Sequence, residues 1–93
     1  MIEVQLSTQT LQKTIVAFHD NTVEFFYVTA NVVGQSYHVG HIKTFDLLEK
    51  NGKYSLVLTT DFKKNTEAVD LQALPKVKEL VAEVQKAIKA FSP

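Results

Sequence analysis

Three histidines, His19, His38 and His41, are the residues of this chain best suited to bind a metal ion. Imidazole nitrogens are common zinc ligands, so these three are candidate ligands. His38 and His41 lie three positions apart, however, and such positions on a regular strand point to opposite faces. The two rings converge only if a bend at Gly40 rotates one of them. We therefore expect partly exposed strand histidines, with no metal and no other cofactor.

The other polar residues give equally little support to catalysis. The chain has no Cys, which excludes thiolate chemistry. A catalytic serine needs a neighbouring base and often lies on a turn flanked by glycines, and none of the serines lies on such a turn. Asp46 and Glu49 lie beside a predicted hairpin turn, where carboxylates serve solubility rather than acid–base chemistry. The sequence therefore predicts no catalytic residues and a non-enzymatic protein.

The charged residues indicate which partners do not suit this chain. Ten lysines balance ten acidic residues and there is no Arg, although Arg is the preferred residue for bidentate contacts with phosphate and guanine. Lys63 and Lys64 form the only adjacent basic pair, so the sequence has no polybasic run. We expect no nucleic-acid partner and no binding to phosphoinositides or membranes.

Length and composition predict a single domain over residues 1–93. A hydrophobic share of 45% and a charged share of 22% are ordinary globular values, and a chain of this size buries one core without disulfides. The first ten residues, MIEVQLSTQT, lack the basic and apolar regions of a signal peptide, and no apolar run approaches membrane-spanning length. Together with the absence of Cys, these features predict a cytoplasmic protein.

The last long segment, residues 74–91, has the spacing of an amphipathic helix. Apolar residues recur at intervals of three and four, with Val81 and Val84 near the centre of the stripe, and the lysines and glutamates face elsewhere. Pro75 suits the first helical turn. The same spacing fits a coiled-coil seam, but the segment is short for one and the preceding strands need cover. We predict a helix over about 75–91 that packs on a sheet.

The preceding residues have strand patterns separated by turn signals. Asp20-Asn21 separates two β-branched and aromatic runs, Gly40 predicts a bend, and Asn51-Gly52 predicts a type I′ hairpin turn because both residues accept positive φ. The polar segment Asp61–Asn65 is predicted to be a connection. The predicted strands cover about residues 2–7, 12–19, 22–30, 36–41, 43–49, 53–60 and 67–71.

An alternative interpretation starts with a helix instead of a second strand. Ser7 suits an N-cap, and Leu11, Ile15 and Phe18 would share one face of a helix at about 8–19. The fold would then be α+β with a four- to five-stranded antiparallel sheet. The strand interpretation is favoured because the β-branched and aromatic residues of this segment lose side-chain freedom in a helix.

The order of elements, about seven short strands and then one amphipathic helix, resembles the pleckstrin-homology-like superfold. The stretch Tyr37–Leu47, YHVGHIKTFDL, also looks like the bacterial and GRAM-type members. The resemblance implies a mainly β fold, in which two roughly orthogonal antiparallel sheets form a partly open barrel and the helix caps one end. Lipid-binding members carry several basic residues in the first hairpin loop. Here that connection offers Lys13 alone, so the lipid role is not carried over.

Four aromatic residues are the candidate interaction surface: Phe26, Tyr27, Tyr37 and His38. The run Phe25-Phe26-Tyr27 places rings on both faces of one strand, so some of them are not needed for the core. The sequence favours a binding module that engages a protein or peptide through a sheet edge or the groove between helix and sheet. The alternatives are a homo-oligomeric structural subunit and, more weakly, a carrier of a small apolar ligand or lipid.

Overall fold

The computed structural model describes residues 2–7, 14–27 and 34–91 of the chain. These residues form a mainly β structure with one C-terminal helix, as predicted. None of the described helices is both long and apolar enough to cross a bilayer. The strands are β1 (Ile2–Gln5), β2 (Thr14–His19), β3 (Thr22–Tyr27), β4 (Gln35–His38), β5 (Thr44–Lys50), β6 (Lys53–Thr59) and β7 (Lys64–Val69). Two 3-10 turns, Val39–His41 and Leu71–Ala73, precede β5 and the helix α1 (Leu74–Phe91) respectively.

The strands form two separate antiparallel sheets. β1, β2, β3 and β4 lie side by side in that order, and β5, β6 and β7 form the second sheet. The two described sheets do not close into a barrel. At one corner, the Asp70 N–H donates to the Leu6 carbonyl at 2.8 Å and so joins the end of β7 to the residue after β1.

Both hairpins with two-residue loops use left-handed backbone at the turn. Asp20 and Asn21 have φ of 50° and 58°, and Asn51 and Gly52 have φ of 54° and 78°. Positive φ at both central residues is the geometry of a type I′ turn, whose twist matches that of the flanking strands. The prediction at Asn51-Gly52 is confirmed, and Asp20-Asn21 forms the same kind of turn without a glycine.

Replacing Gly52 with Val should destabilise the protein by about 1 kcal/mol, which lowers the melting temperature by about 4–8 °C for a domain of this size. A Cβ at this position would meet no atom within 4 Å, so the effect comes from backbone strain at positive φ alone. Thermal unfolding followed by circular dichroism measures it. Asn51→Gly is the control, since it should keep or raise the melting temperature. An unchanged melting temperature for Gly52→Val would contradict the turn geometry.

The helix covers the space between the two sheets. It packs against β5, β1 and both 3-10 turns, and its fully buried residues are Val77, Leu80 and Val84. Val81, predicted near the centre of the stripe, is only half-buried, because the buried arc is narrower than the apolar stripe: it runs from Leu80 through Val84 to Val77, and Val81 lies about 40° beyond Val77. The rest of the core consists of Val4, Leu6, Val16, Val23, Phe25, Val39, Ile42, Phe45, Leu56, Leu58, Val69 and Ala73.

Several predicted boundaries need correction. The strand predicted over 36–41 ends at His38, because the bend at Gly40 develops into a 3-10 turn. The last strand, predicted over 67–71, begins at Lys64 and ends at Val69, so part of the predicted polar connection pairs with β6. The alternative helix over 8–19 is wrong for 14–19, which form β2 with Val16 and Ala17 buried on opposite faces. Its residues 8–13, including Lys13, lie outside the described residues.

Candidate functional site

A groove of about 450 Å³ lies where the two sheets meet beside β4. Residues 36–38 of β4 and residues 40–41 of the first 3-10 turn form one side. The turn between β6 and β7, residues 60–63, forms the other side. We call this site the β4 groove. Its volume falls in the range of about 300–1,000 Å³ that is usual for ligand sites.

The β4 groove contains a strand edge that pairs with no other strand among the described residues. β4 is one of the two outer strands of the four-stranded sheet. Its register pairs Tyr37 with Val23, and the Val39 N–H donates to the Asn21 carbonyl at 2.9 Å. Peptide groups alternate in direction along an antiparallel strand, so Tyr37 and Val39 face β3 and the residues next to them face away from it. The N–H and carbonyl of Ser36 and the N–H of His38 therefore point to the free edge. Such an edge is able to accept a further strand.

Phe62 stands at the rim of the β4 groove with 95% of its surface exposed. The turn that carries it is well fixed. The Thr60 hydroxyl accepts hydrogen bonds from the N–H groups of Phe62 and Lys63 at 3.2 and 3.0 Å, and the Thr60 N–H donates to the Lys63 carbonyl at 2.9 Å. Burying a Phe side chain is worth about 1.5–3 kcal/mol. An ordered turn therefore presents an apolar side chain that lacks intramolecular cover.

The first 3-10 turn brings His38 and His41 together. The Gly40 N–H donates to His38 Nδ1 at 3.0 Å, and the two imidazole centroids lie 6.4 Å apart. The ring of His38 also contacts Phe91 edge-to-face at 4.9 Å, which ties the end of the helix to the groove. Within the described residues, no three His, Cys, Asp or Glu side chains are grouped to hold a metal ion. The rings of His38 and His41 form an aromatic wall of the β4 groove.

Two of the four predicted surface residues line the β4 groove. His38 is exposed there, whereas Tyr37 is half-buried. The ring of Tyr37 packs edge-to-face on Phe25 with centroids 6.2 Å apart, and its hydroxyl donates to Gln35 Oε1 at 2.6 Å. Burial raises the pKa of Tyr37 above its ordinary value. Tyr37 thus anchors β4 to the core and gives the groove a polar rim.

The other two predicted surface residues lie outside the groove. Phe26 is 40% exposed on the outer face of its sheet, opposite Ile15. Tyr27 packs against the core, and its hydroxyl donates to Glu67 Oε1 at 2.7 Å. Burial, and then this hydrogen bond, raise the pKa of Tyr27 to about 12, so it remains a neutral donor at physiological pH. The four residues therefore do not form a single surface.

A histidine–carboxylate contact lies on the outer face of the four-stranded sheet. His19 Nε2 contacts Glu24 Oε1, and His19 Nδ1 lies 3.6 Å from Asp20 Oδ2. The hydrogen bond to Glu24 raises the pKa of His19, since it favours the imidazolium form. Neither His19 nor Glu24 lines the β4 groove. The pair joins neighbouring strands β2 and β3, and we assign it a structural role.

The groove between helix and sheet, the other binding site expected from the sequence, is partly filled by Gln85. The Gln85 amide donates to the Phe45 carbonyl at 2.9 Å and to Asp46 Oδ1 at 3.0 Å. A shallow depression of about 210 Å³ remains there. An added strand would have to displace this side chain from the edge of β5. The β4 edge is therefore the better site for strand addition.

Phe62 is the residue of the groove that sequence reasoning does not identify. It lies in the segment Asp61–Asn65, whose other residues are polar and predict a connection. One sequence feature could have indicated an exposed Phe: Phe62 stands alone between two charged residues, in a segment without the periodicity of a buried helix or strand. Its exposure depends on the length of the turn and on the bonds of Thr60.

No family model matches the sequence, and no curated protein or solved structure matches it.

Proposed function

We propose that this protein is a non-enzymatic binding module that engages an extended protein segment at the β4 groove. The observation that carries the proposal is the position of Phe62, almost fully exposed on a fixed turn beside the free edge of β4. Strand edges and exposed aromatic anchors are two recurring elements of peptide recognition. Here both face the same groove.

The ligand backbone would pair with β4, and the ligand side chains would point alternately to the two faces of the sheet. The N–H and carbonyl of Ser36 and the N–H of His38 supply the hydrogen bonds. Alternate side chains of an added strand point to the two faces, so one set meets Phe62 and the wall formed by His38 and His41. Lys63 and Asp61 lie at the rim, with Asp61 Oδ1 2.9 Å from Lys43 Nζ.

We also infer that the fold is a variant of the pleckstrin-homology-like superfold. The sheets of four and three strands, followed by a helix that packs across the space between them, support this assignment. The sheets are more open than the expected barrel. The superfold itself does not determine a function, so the binding proposal rests on the groove.

Random peptides displayed on phage provide a test that does not require the partner to be identified. Selection on the intact protein should enrich extended sequences with an apolar residue. Phe62→Ser should reduce the affinity for a selected peptide by about tenfold to a hundredfold, since it removes one buried aromatic contact. Leu71→Ser is the matched control, because Leu71 is 68% exposed but lies outside the β4 groove. It should leave the affinity unchanged.

Amide hydrogen exchange then tests strand addition itself. The bound peptide should slow amide exchange at Ser36 and His38, whose N–H groups face the free edge. The exchange rates of Gln35 and Tyr37 should change much less, because their N–H groups face β3. Failure to enrich any peptide, or equal losses for Phe62→Ser and Leu71→Ser, would contradict the proposal.

The second candidate function is a homo-oligomer in which β4 of another copy occupies the same edge. The free edge of β4 supports it, because antiparallel pairing of two identical strands generates a two-fold symmetric dimer. Light scattering at increasing protein concentration separates the two candidates. A stable dimer that excludes the selected peptides would favour the oligomer.

A further inference from the structure

A second concave surface lies on the outer face of the three-stranded sheet, away from the β4 groove. It has a volume of about 510 Å³ and extends across β5, β6 and β7. Its cationic residues are Lys50, Lys53 and Lys64, and its apolar residues are Leu48 and Val57. We call this surface the lysine face. The sequence separates the three lysines, and the antiparallel pairing of the strands places them on one face.

Within the described residues, the lysines of this face lack anionic partners. Lys50 and Lys53 lie directly opposite each other across the hairpin, and like charges in that position repel. In the part of the chain that the structure describes, none of the three has a carboxylate within salt-bridge distance. No acidic residue lines the concavity. An anionic ligand would therefore relieve a repulsion already present in the fold.

The positions of the charges determine the shape of that ligand. Lys50 and Lys53 lie at the hairpin end of the sheet, whereas Lys64 pairs with Thr59 at the opposite end. The distance from Lys53 to Thr59 along β6 is about 20 Å, at about 3.3 Å per residue. A single phosphate or carboxylate is too small to contact both ends. An extended ligand with anionic groups at each end is required.

The middle of the lysine face combines two apolar side chains, Leu48 and Val57, with the hydroxyls of Ser55 and Thr66. Leu48 is 52% exposed, and Val57 on the neighbouring strand forms the floor beside it. A ligand that matches this arrangement carries acidic groups at both ends and apolar groups between them. We propose that the lysine face binds an extended acidic segment of another protein, with aliphatic residues at its centre.

Nucleic acid fits the same surface less well. Its phosphates are evenly spaced, so the central ones would lie over Leu48 and Val57 and lose hydration without gaining a cation. The lining residues include no aromatic ring for base stacking, and the chain has no Arg. A protein segment can place apolar side chains on the central floor and carboxylates at its ends.

The probe is a fluorescein-labelled nine-residue peptide, Glu-Glu-Thr-Leu-Thr-Val-Thr-Glu-Glu, long enough when extended to reach both ends of the face. Fluorescence anisotropy should show saturable binding that weakens as salt rises from about 50 to 200 mM. Lys53→Gln should reduce the affinity about tenfold, since it removes one charge-assisted contact. The matched control is Lys78→Gln, an exposed helix lysine with the same charge change. Lys78→Gln changes the net charge of the protein but not the lysine face, so the peptide affinity should stay within about twofold of that of the unmodified protein.

A second readout separates a binding defect from a folding defect. Lys53→Gln should raise the melting temperature of the free protein, because it removes the repulsion with Lys50. The same substitution should weaken binding of the acidic peptide. Phe62→Ser should leave binding of the acidic peptide unchanged. The two proposals can then fail independently, because Phe62→Ser tests the β4 groove and Lys53→Gln tests the lysine face.

Four outcomes would overturn the proposal: equal binding of the peptide with Gln in place of every Glu, equal losses for Lys53→Gln and Lys78→Gln, tighter binding of a single-stranded oligonucleotide than of the peptide, or salt-sensitive self-association that occupies the face. The expected result is selective binding of the acidic peptide, with opposite effects of Lys53→Gln on affinity and on melting temperature.

Discussion

Replacing Leu80 with Asp should leave the protein unfolded. Leu80 has 0% exposure and belongs to the buried arc of the helix, together with Val77 and Val84. An unpaired carboxylate there loses several kcal/mol of solvation, and a domain of this length has only about 5–14 kcal/mol of total stability. Because α1 covers the space between the two sheets, its displacement exposes both sheets to water. Leu80→Ala, which removes packing without adding charge, should cost about 2–5 kcal/mol.

Ala82→Asp is the matched control for this substitution. Ala82 is exposed on the same helix, so the same new side chain should change stability by about 0.5 kcal/mol or less. Circular dichroism and urea unfolding measure all three variants. Val81→Asp should be milder than Leu80→Asp, since Val81 is half-buried. A soluble Leu80→Asp protein with a cooperative melting transition would contradict the assigned role of the helix.

Phe25→Ala should destabilise the protein by about 3–5 kcal/mol, the usual range for loss of a buried Phe side chain. Phe25 is almost completely buried, and its ring supports Tyr37. The substitution should therefore loosen β4 as well as the core. Urea unfolding gives the change in stability. Hydrogen exchange at Tyr37, whose partner in the register is Val23, reports the loosening of β4.

The adjacent residue supplies the control for Phe25. Phe26 points to the outer face, where its contact with Ile15 across the strands is worth about 0.2–1 kcal/mol. Phe26→Ala should therefore cost much less than Phe25→Ala. Similar losses for the two variants would show that the two faces of β3 are assigned the wrong way round.

The two proposed binding surfaces meet at the start of β7. Lys63 lines the β4 groove, and its neighbour Lys64 lines the lysine face. The surfaces offer different chemistry, since one presents a strand edge with an aromatic anchor and the other presents separated cations around an aliphatic floor. A single partner with an extended segment followed by an acidic segment would be able to contact both. Lys64→Gln tests the cationic surface without altering the edge of β4.

Local features of the chain were predictable from the sequence because their physical cause lies within a few residues. Asn51-Gly52 forms the expected turn since both residues tolerate positive φ. The helix over residues 74–91 follows from the 3.6-residue period of its apolar positions. The bend at Gly40 was also predictable. Its form, a 3-10 turn in which His38 accepts from the Gly40 N–H, was not.

Contacts between distant parts of the chain were not predictable from the sequence, whether they lie outside the β4 groove or beside it. Tyr27 and Glu67 are 40 positions apart, yet their hydroxyl and carboxylate form a hydrogen bond. Similarly, the ring of His38 packs on Phe91 only because the helix returns across the first 3-10 turn. Periodicity specifies which face of an element is apolar, but it does not specify which element covers that face.

The same limit applies to both proposed surfaces. The sequence determined seven strand-like segments and the type of the Asn51-Gly52 turn, since backbone preference and side-chain alternation are local properties. Only the tertiary structure decided that β4 is an outer strand, that Phe62 stands beside its free edge, and that Lys50, Lys53 and Lys64 share one face. These relations depend on strand order and register. Both are set by packing of the whole core, because a shift of register by one residue would turn each side chain to the opposite face.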